Sequence, residues 1–224
     1  MKALQGVDGH VEWVEAERPA CDAGQVRIRV AAAGLNRADL LQMKGLYPPP
    51  PGASPYMGLE CAGVVEEVGA GADWRVGDRV CALLASGAMA EEVVVDARHV
   101  LPVPEGLSLH EAAALPEVYA TAWLNIFQLG GVKAGEKVLV HAGASGVGSA
   151  AIQLCKAFGS PVWVSVGSPD RLAYCEALGA AGGWYVTRTW MHWKVSGRST
   201  SFSTRWAPAT VSSTSSCWPV TAVG

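Results

Sequence analysis

The stretch HAGASGVGSAA, residues 141–151, limits what this chain can fold into more than any other. It follows an apolar run at 138–140 and leads into residues 150–158, which read as a helix. In such a turn Gly143, Gly146 and Gly148 let the backbone bend sharply and approach a phosphate. Val147 and the helix that follows add free amides and the positive end of a dipole. Ser145 stands where a strict GxGxxG pattern has glycine, so the fingerprint is a variant whose hydroxyl can still donate to a phosphate. Gly159 stops the helix, VWVSV follows as a second strand, and Ser168 with Pro169 opens another helix that ends near Gly179. This is one βαβα unit, with right-handed crossovers, and it begins a parallel doubly wound sheet that needs several more strands.

Upstream the period differs. Residues 2–103 alternate or form short β-branched runs (VEWVEAE, QVRIRVAAA, GVVEEVG, DRVCALL, AEEVVV), which reads as a mostly antiparallel β domain. Asn36 is placed to cap a short helix over RADLLQM. The prolines of YPPPPGASPYMG cannot join a sheet interior and call for an ordered surface loop. Ser108 with Glu111 makes a capping box, and Pro116 starts a helical run expected to reach Leu129.

With 224 residues, 50% of them hydrophobic and 17% charged, the chain has material for one large or two small domains. Its net charge of −3 supplies no basic field, so neither nucleic acid nor anionic lipid is an expected partner. MKALQGVDGH has no apolar signal region and no run is long enough for a membrane span, which makes a cytoplasmic location the expectation. Six cysteines (21, 61, 81, 155, 175 and 217) show no CxxC spacing and read as buried or incidental thiols.

The end of the second strand separates the two nicotinamide cofactors. An NAD site places Asp or Glu there to accept from the ribose 2′-hydroxyl, whereas VSVGSPDRL offers Gly167, Ser168 and Arg171. NADPH is therefore expected, with Ser168 and Arg171 on the 2′-phosphate, although Ser168 also serves as a helix cap and the carboxylate of Asp170 must point away.

Together with GLNRADLLQMKGLYPPPPGAS, GLECAGVVEEVG, LPVPEGLSLHEAAALP and GEKVLVHAGASGVGSAAIQL, these residues make the chain resemble the zinc-free medium-chain dehydrogenase/reductases, most closely the NADPH:quinone oxidoreductases of the zeta-crystallin type. The resemblance covers residues 1 to about 183. It implies an α/β chain: a GroES-like, mostly antiparallel β domain over 1–115, including a connecting helix, then a partial NADP-binding Rossmann-type domain over 116–183. It also implies NADPH-dependent hydride transfer to a small quinone or α,β-unsaturated carbonyl, and a homodimer. Asn36 stands where zinc-dependent relatives carry a cysteine ligand, and Gly58, Leu59 and Glu60 stand where they have GHE, so no metal is expected. A lone Glu60 reads as a structural hydrogen-bonding group. The likeness matches Asn36 and Tyr47 to pocket residues able to donate to a carbonyl oxygen as it becomes an oxyanion, and Thr121 to a position on the nicotinamide side. The plainer alternatives are a helix cap for Asn36, a packed aromatic for Tyr47 and a packed helical residue for Thr121. An enoyl reductase of the same superfamily, or a non-catalytic nucleotide-binding or interaction fragment, are the other functions to weigh.

After Gly183 the resemblance stops. Residues 184–224 contain no Asp, Glu, Leu or Ile, yet hold five of the nine tryptophans and fifteen Ser or Thr. That removes the common core and helix formers while enriching tryptophan, a residue scarce in disordered tails. WMHWK, residues 190–194, must be encoded TGG ATG CAY TGG AAR, and reading from one base earlier gives an apolar residue followed by Asp, Ala, Leu and Glu. The expectation is that residues 184–224 are an out-of-frame translation, and that the chain as it stands has little or no activity.

Overall fold

The computed structural model describes residues 1–186, 191–195, 198–200 and 220–223, in two compact units, Met1–Glu117 and Val118–Gly224.

In the first unit β1 (Lys2–Val7) and β2 (His10–Glu15) pair as a hairpin. Its two-residue turn is Asp8-Gly9, with φ of 48° and 84°, as the twist of paired strands requires. Next come β3 (Gln25–Ala33), α1 (Arg37–Gln42), β4 (Glu60–Val68), β5 (Arg79–Leu83), β6 (Glu92–Asp96) and β7 (Val100–Pro102). The five strands form an antiparallel sheet in the order β6-β3-β4-β5-β7. Alternation decides its faces: Val26 and Ile28 are fully buried and pack with Val65, Val80 and Val93, while Arg29 is exposed on the other side. The proline-rich residues 47–58 form no strand or helix. They are followed by β4, the strand that carries Glu60. α2 (Leu109–Ala112) is short, and its capping box is formed: the Ser108 Oγ accepts from the Glu111 N–H at 3.2 Å while the Ser108 N–H donates to the Glu111 carboxylate at 2.8 Å.

α3 (Pro116–Trp123) begins at the end of the first unit. The helix predicted to reach Leu129 changes instead to a π-helical turn over Leu124–Leu129, closed by the Gly130 N–H on the Asn125 carbonyl at 2.9 Å. The wider turn accompanies a cluster of Trp123, Phe127 and Phe158, whose ring centroids lie 4.8, 5.2 and 5.0 Å apart. Beyond it run β8 (Lys137–His141), α4 (Gly146–Ala157), β9 (Val162–Val166), α5 (Pro169–Leu178) and β10 (Gly182–Val186). The three strands are parallel in the spatial order β10-β9-β8, half of a doubly wound sheet. One face buries Val138, Val140, Val162 and Val164 against Ile152 and Cys155 of α4 and Leu172 and Cys175 of α5. Each such side chain contributes about 1.5–3 kcal/mol by leaving water.

The rest of the sheet departs from the parallel continuation. β11 (Met191–Val195) pairs antiparallel with β10, β12 (Arg198–Thr200) with β11, and β13 (Val220–Val223) antiparallel with β8. The unpaired N–H and C=O groups along the outer sides of β8 and β10 find partners this way. The other residues of 184–224 lie outside the described residues, and the out-of-frame reading rests on sequence alone. The five cysteines within the described residues are free thiols, and burial pushes those of Cys61 and Cys155 up to about 12 and about 11, away from nucleophilic use.

Candidate functional site

The residues singled out from sequence fall in both units. In the first, Tyr47 lies in the wall of a cavity of about 340 Å³, with Pro48, Leu59, Leu83, Leu84 and Glu117. The lining is largely apolar, which suits a planar, weakly polar ligand. Asn36 is not in that wall; it sits at the N-terminus of α1, in a capping box with Asp39 in which its own N–H donates to the Asp39 Oδ2 at 2.6 Å. Its side-chain Nδ2 donates to the Glu60 Oε1 at 2.7 Å. Glu60 accepts at its second oxygen, Oε2, from the Glu117 N–H at 2.9 Å, which links Asn36 to a residue of the cavity wall.

Glu60 is only 2% exposed and Asp39 is fully buried. Burial raises both carboxyl groups above their ordinary range, opposed for Glu60 by the Glu117 and Asn36 hydrogen bonds and for Asp39 by the Asn36 N–H. The Asp39 Oδ1 is buried and finds no hydrogen-bond partner among the described residues. The space for Glu60 comes from Gly34: a Cβ there would lie 2.3 Å from the Glu60 Oε1 and 2.6 Å from its carboxyl carbon. Sequence reading assigned Glu60 a structural hydrogen bond and gave Asp39 and Glu117 no part. The available signal was an acid opening the apolar run ECAGVV of β4, but its partners stand 24 and 57 residues away.

In the second unit the Gly-rich turn joins β8 to α4. Ser145 caps the helix, its Oγ accepting from the Gly148 N–H at 3.1 Å, which leaves its own proton to donate elsewhere. The first-turn N–H groups of Gly146 and Val147 have no intrahelical acceptor. The three glycines answer to different constraints. A Cβ on Gly143 would meet Val164 at 2.6 Å, and one on Gly148 would meet the Gly143 carbonyl oxygen at 2.5 Å. Packing of strand, turn and helix accounts for both. A Cβ on Gly146 would find only Val118 of α3, at 3.1 Å, so packing asks little of that position and an approaching phosphate would ask more. Thr121, half-buried, lies one turn further along α3 and its carbonyl accepts from the Asn125 Nδ2 at 2.8 Å.

The adjacent parallel strand ends nearby, with His141 opposite Ser165 in register and the Gly143 N–H on the Ser165 carbonyl at 3.1 Å. There Ser168 caps α5, its Oγ accepting from the Arg171 N–H at 3.4 Å, and Gly167 is so open that a Cβ on it would lie 3.7 Å from an Arg171 guanidinium nitrogen. Gly143, Ser145, Gly146, Val147 and Gly148 thus follow the carboxyl end of β8, and Gly167, Ser168 and Arg171 follow that of the neighbouring β9, the edge at which open α/β sheets bind ligands. A Gly-rich turn, a helix N-terminus and a guanidinium are groups that could hold the phosphates of a nicotinamide dinucleotide.

A curled antiparallel domain followed by a dinucleotide-type βαβα half defines the class, and the comparisons with known proteins agree. Residues 22–105 match the alcohol dehydrogenase GroES-like domain. Over 144 residues the chain is 46% identical to a synaptic vesicle membrane protein VAT-1 homolog of Danio rerio, covering 64% of this chain and 30% of that protein. Among solved structures, CurK enoyl reductase superposes with a TM-score of 0.74 at 32% identity, over 84% of this chain and 60% of that one. The quinone oxidoreductase of Thermus thermophilus, solved also with NADPH, does so at 0.68 and 39% identity, over 82% and 59%. The chain thus spans 30% of the first relative and about 60% of the two solved chains. These matches make the chain similar, over both units, to oxidoreductases of the medium-chain dehydrogenase/reductase superfamily.

Proposed function

We propose that the chain carries the substrate cavity and half of the cofactor site of an NADPH-dependent reductase of quinones or related α,β-unsaturated carbonyls. The bound cofactor would supply a hydride; the protein supplies position and polarity. The Gly146 and Val147 amides and the Ser145 hydroxyl hold the pyrophosphate, Arg171 and Ser168 hold the 2′-phosphate, and Thr121 flanks the nicotinamide. Tyr47 in the cavity wall, and Asn36, joined to that wall through Glu60 and the Glu117 N–H, are the donors to the acceptor's carbonyl oxygen as negative charge builds on it, and the largely apolar wall holds the ring. The proton that completes the product comes from solvent. The observation that carries this reading is the Arg171 guanidinium beside Gly167 at the end of β9, where an NAD site would carry an acid.

Turnover is expected to be weak, since the three parallel strands are one half of a doubly wound sheet and a displacement of about 1 Å between reacting groups can cost roughly a hundredfold. Residues 184–224 we take as translated out of frame. The likeness to CurK favours a second acceptor class, an enoyl thioester. NADPH oxidation by the purified chain with menadione and, separately, with crotonyl-CoA tests both: faster turnover with menadione supports the quinone reading, preference for crotonyl-CoA replaces it, and NADPH binding without turnover of either leaves a nucleotide-binding fragment.

A further inference from the structure

Glu60 is a buried carboxyl group to which the proposed hydride transfer gives no task. A tie between β4 and α3 needs one acceptor, and a glutamine would supply it without burying an acid. The structure spends more than that on this side chain. Both oxygens are engaged, one by the Asn36 Nδ2 at 2.7 Å and the other by the Glu117 N–H at 2.9 Å, and Gly34 gives up its Cβ to admit the carboxylate. Asn36 in turn is held at two points, its backbone N–H by Asp39 at 2.6 Å and its amide by Glu60. The terminal torsion of an asparagine is broad when nothing holds it. With one Nδ2 proton on Glu60, the plane of the amide is set and so is the direction of its second proton.

We infer that Glu60 is the positioning residue for Asn36: its carboxylate takes one amide proton so that the other is aimed at the carbonyl oxygen of a bound quinone or enone. This rests on the reading of Asn36 as the acceptor's hydrogen-bond donor. No proton is transferred by Glu60 itself. Glu60→Gln keeps one acceptor oxygen for two donors; the Glu117 backbone N–H is fixed in α3 and keeps that oxygen, while the Asn36 side chain can turn, so Asn36 is the group that loses its acceptor. Gly34→Ala keeps the acid but drives it from its place.

The side-chain amide of Asn36 in proton–nitrogen NMR spectra of the full chain, with menadione as the probe, decides the matter independently of turnover. In the wild-type chain one Nδ2 proton should exchange slowly and lie well apart from its twin, and menadione should shift the twin. In Glu60→Gln and in Gly34→Ala the two protons should converge and the menadione shift should vanish. Where turnover is measurable, kcat should fall about tenfold or more with KM for NADPH unchanged. Both variants are assayed so that a failure of one to fold leaves the other. Asn36 signals that stay as in wild type in a cooperatively melting variant would overturn the inference, as would an undiminished menadione shift or kcat. A wild-type chain with the separated amide protons but neither menadione shift nor turnover upholds the anchor and overturns the reductase reading.

Discussion

Gly146 and Gly148 stand two positions apart, yet the structure asks different things of them. A methyl group on Gly148 would press into the carbonyl oxygens of Gly143 and Ala142, at 2.5 and 2.6 Å. Gly148→Ala should therefore cost about 1–3 kcal/mol, read as a lower melting temperature. Gly146→Ala meets only Val118, at 3.1 Å, so it should melt nearly as wild type while binding NADPH more weakly in a fluorescence titration. From sequence the three glycines were one motif; which of them packing demands became visible only with Val164 and the turn's carbonyls in place. Asp39 was illegible for a similar reason, since its burial depends on chain distant from α1. Its carboxyl is raised by burial, so the folded chain holds that proton more tightly than the unfolded chain. The stability this gives is complete below the ordinary value of 3.8 and is lost as pH climbs through the raised one. Melting curves across pH should accordingly show Asp39→Asn gaining on wild type as pH rises from 3.8 toward neutrality.

At the scale of elements, the helix caps were the most legible features, because a cap is written within three or four residues. Ser108 and Ser168, both readable as helix starts, accept from the backbone N–H three positions on, and Ser145, read from sequence only as a phosphate donor, does the same. For α4 this gives an order of stability: Ser145→Ala should lose about 1 kcal/mol and Ser145→Gly only a few tenths, by denaturant unfolding, although glycine is what a strict GxGxxG pattern would place there. The antiparallel strands and the βαβα half were legible through their periods. The π-helical turn after Trp123 was not, since the rings it brings together include Phe158, beyond β8 and at the far end of α4. Nor were β11, β12 and β13, whose antiparallel pairing answers to open strand edges rather than to any pattern of their own.

At the scale of the whole molecule, each unit has its own buried core, one built on Val26, Ile28 and Val65, the other on Val138, Ile152 and Val164. Composition keeps to one character through both cores and changes only after Gly183. Sequencing the coding DNA across codons 180–190 should reveal a lost or gained base, and the restored frame should spell an acidic helix after β10; an intact single frame supported by independent reads would refute this. The Gly34–Glu60 contact reaches further than this one chain. Because a side chain on residue 34 and a long acid at residue 60 cannot occupy the same space, the two positions are a single inherited character, and in any lineage descended from this one they are expected to change together or not at all.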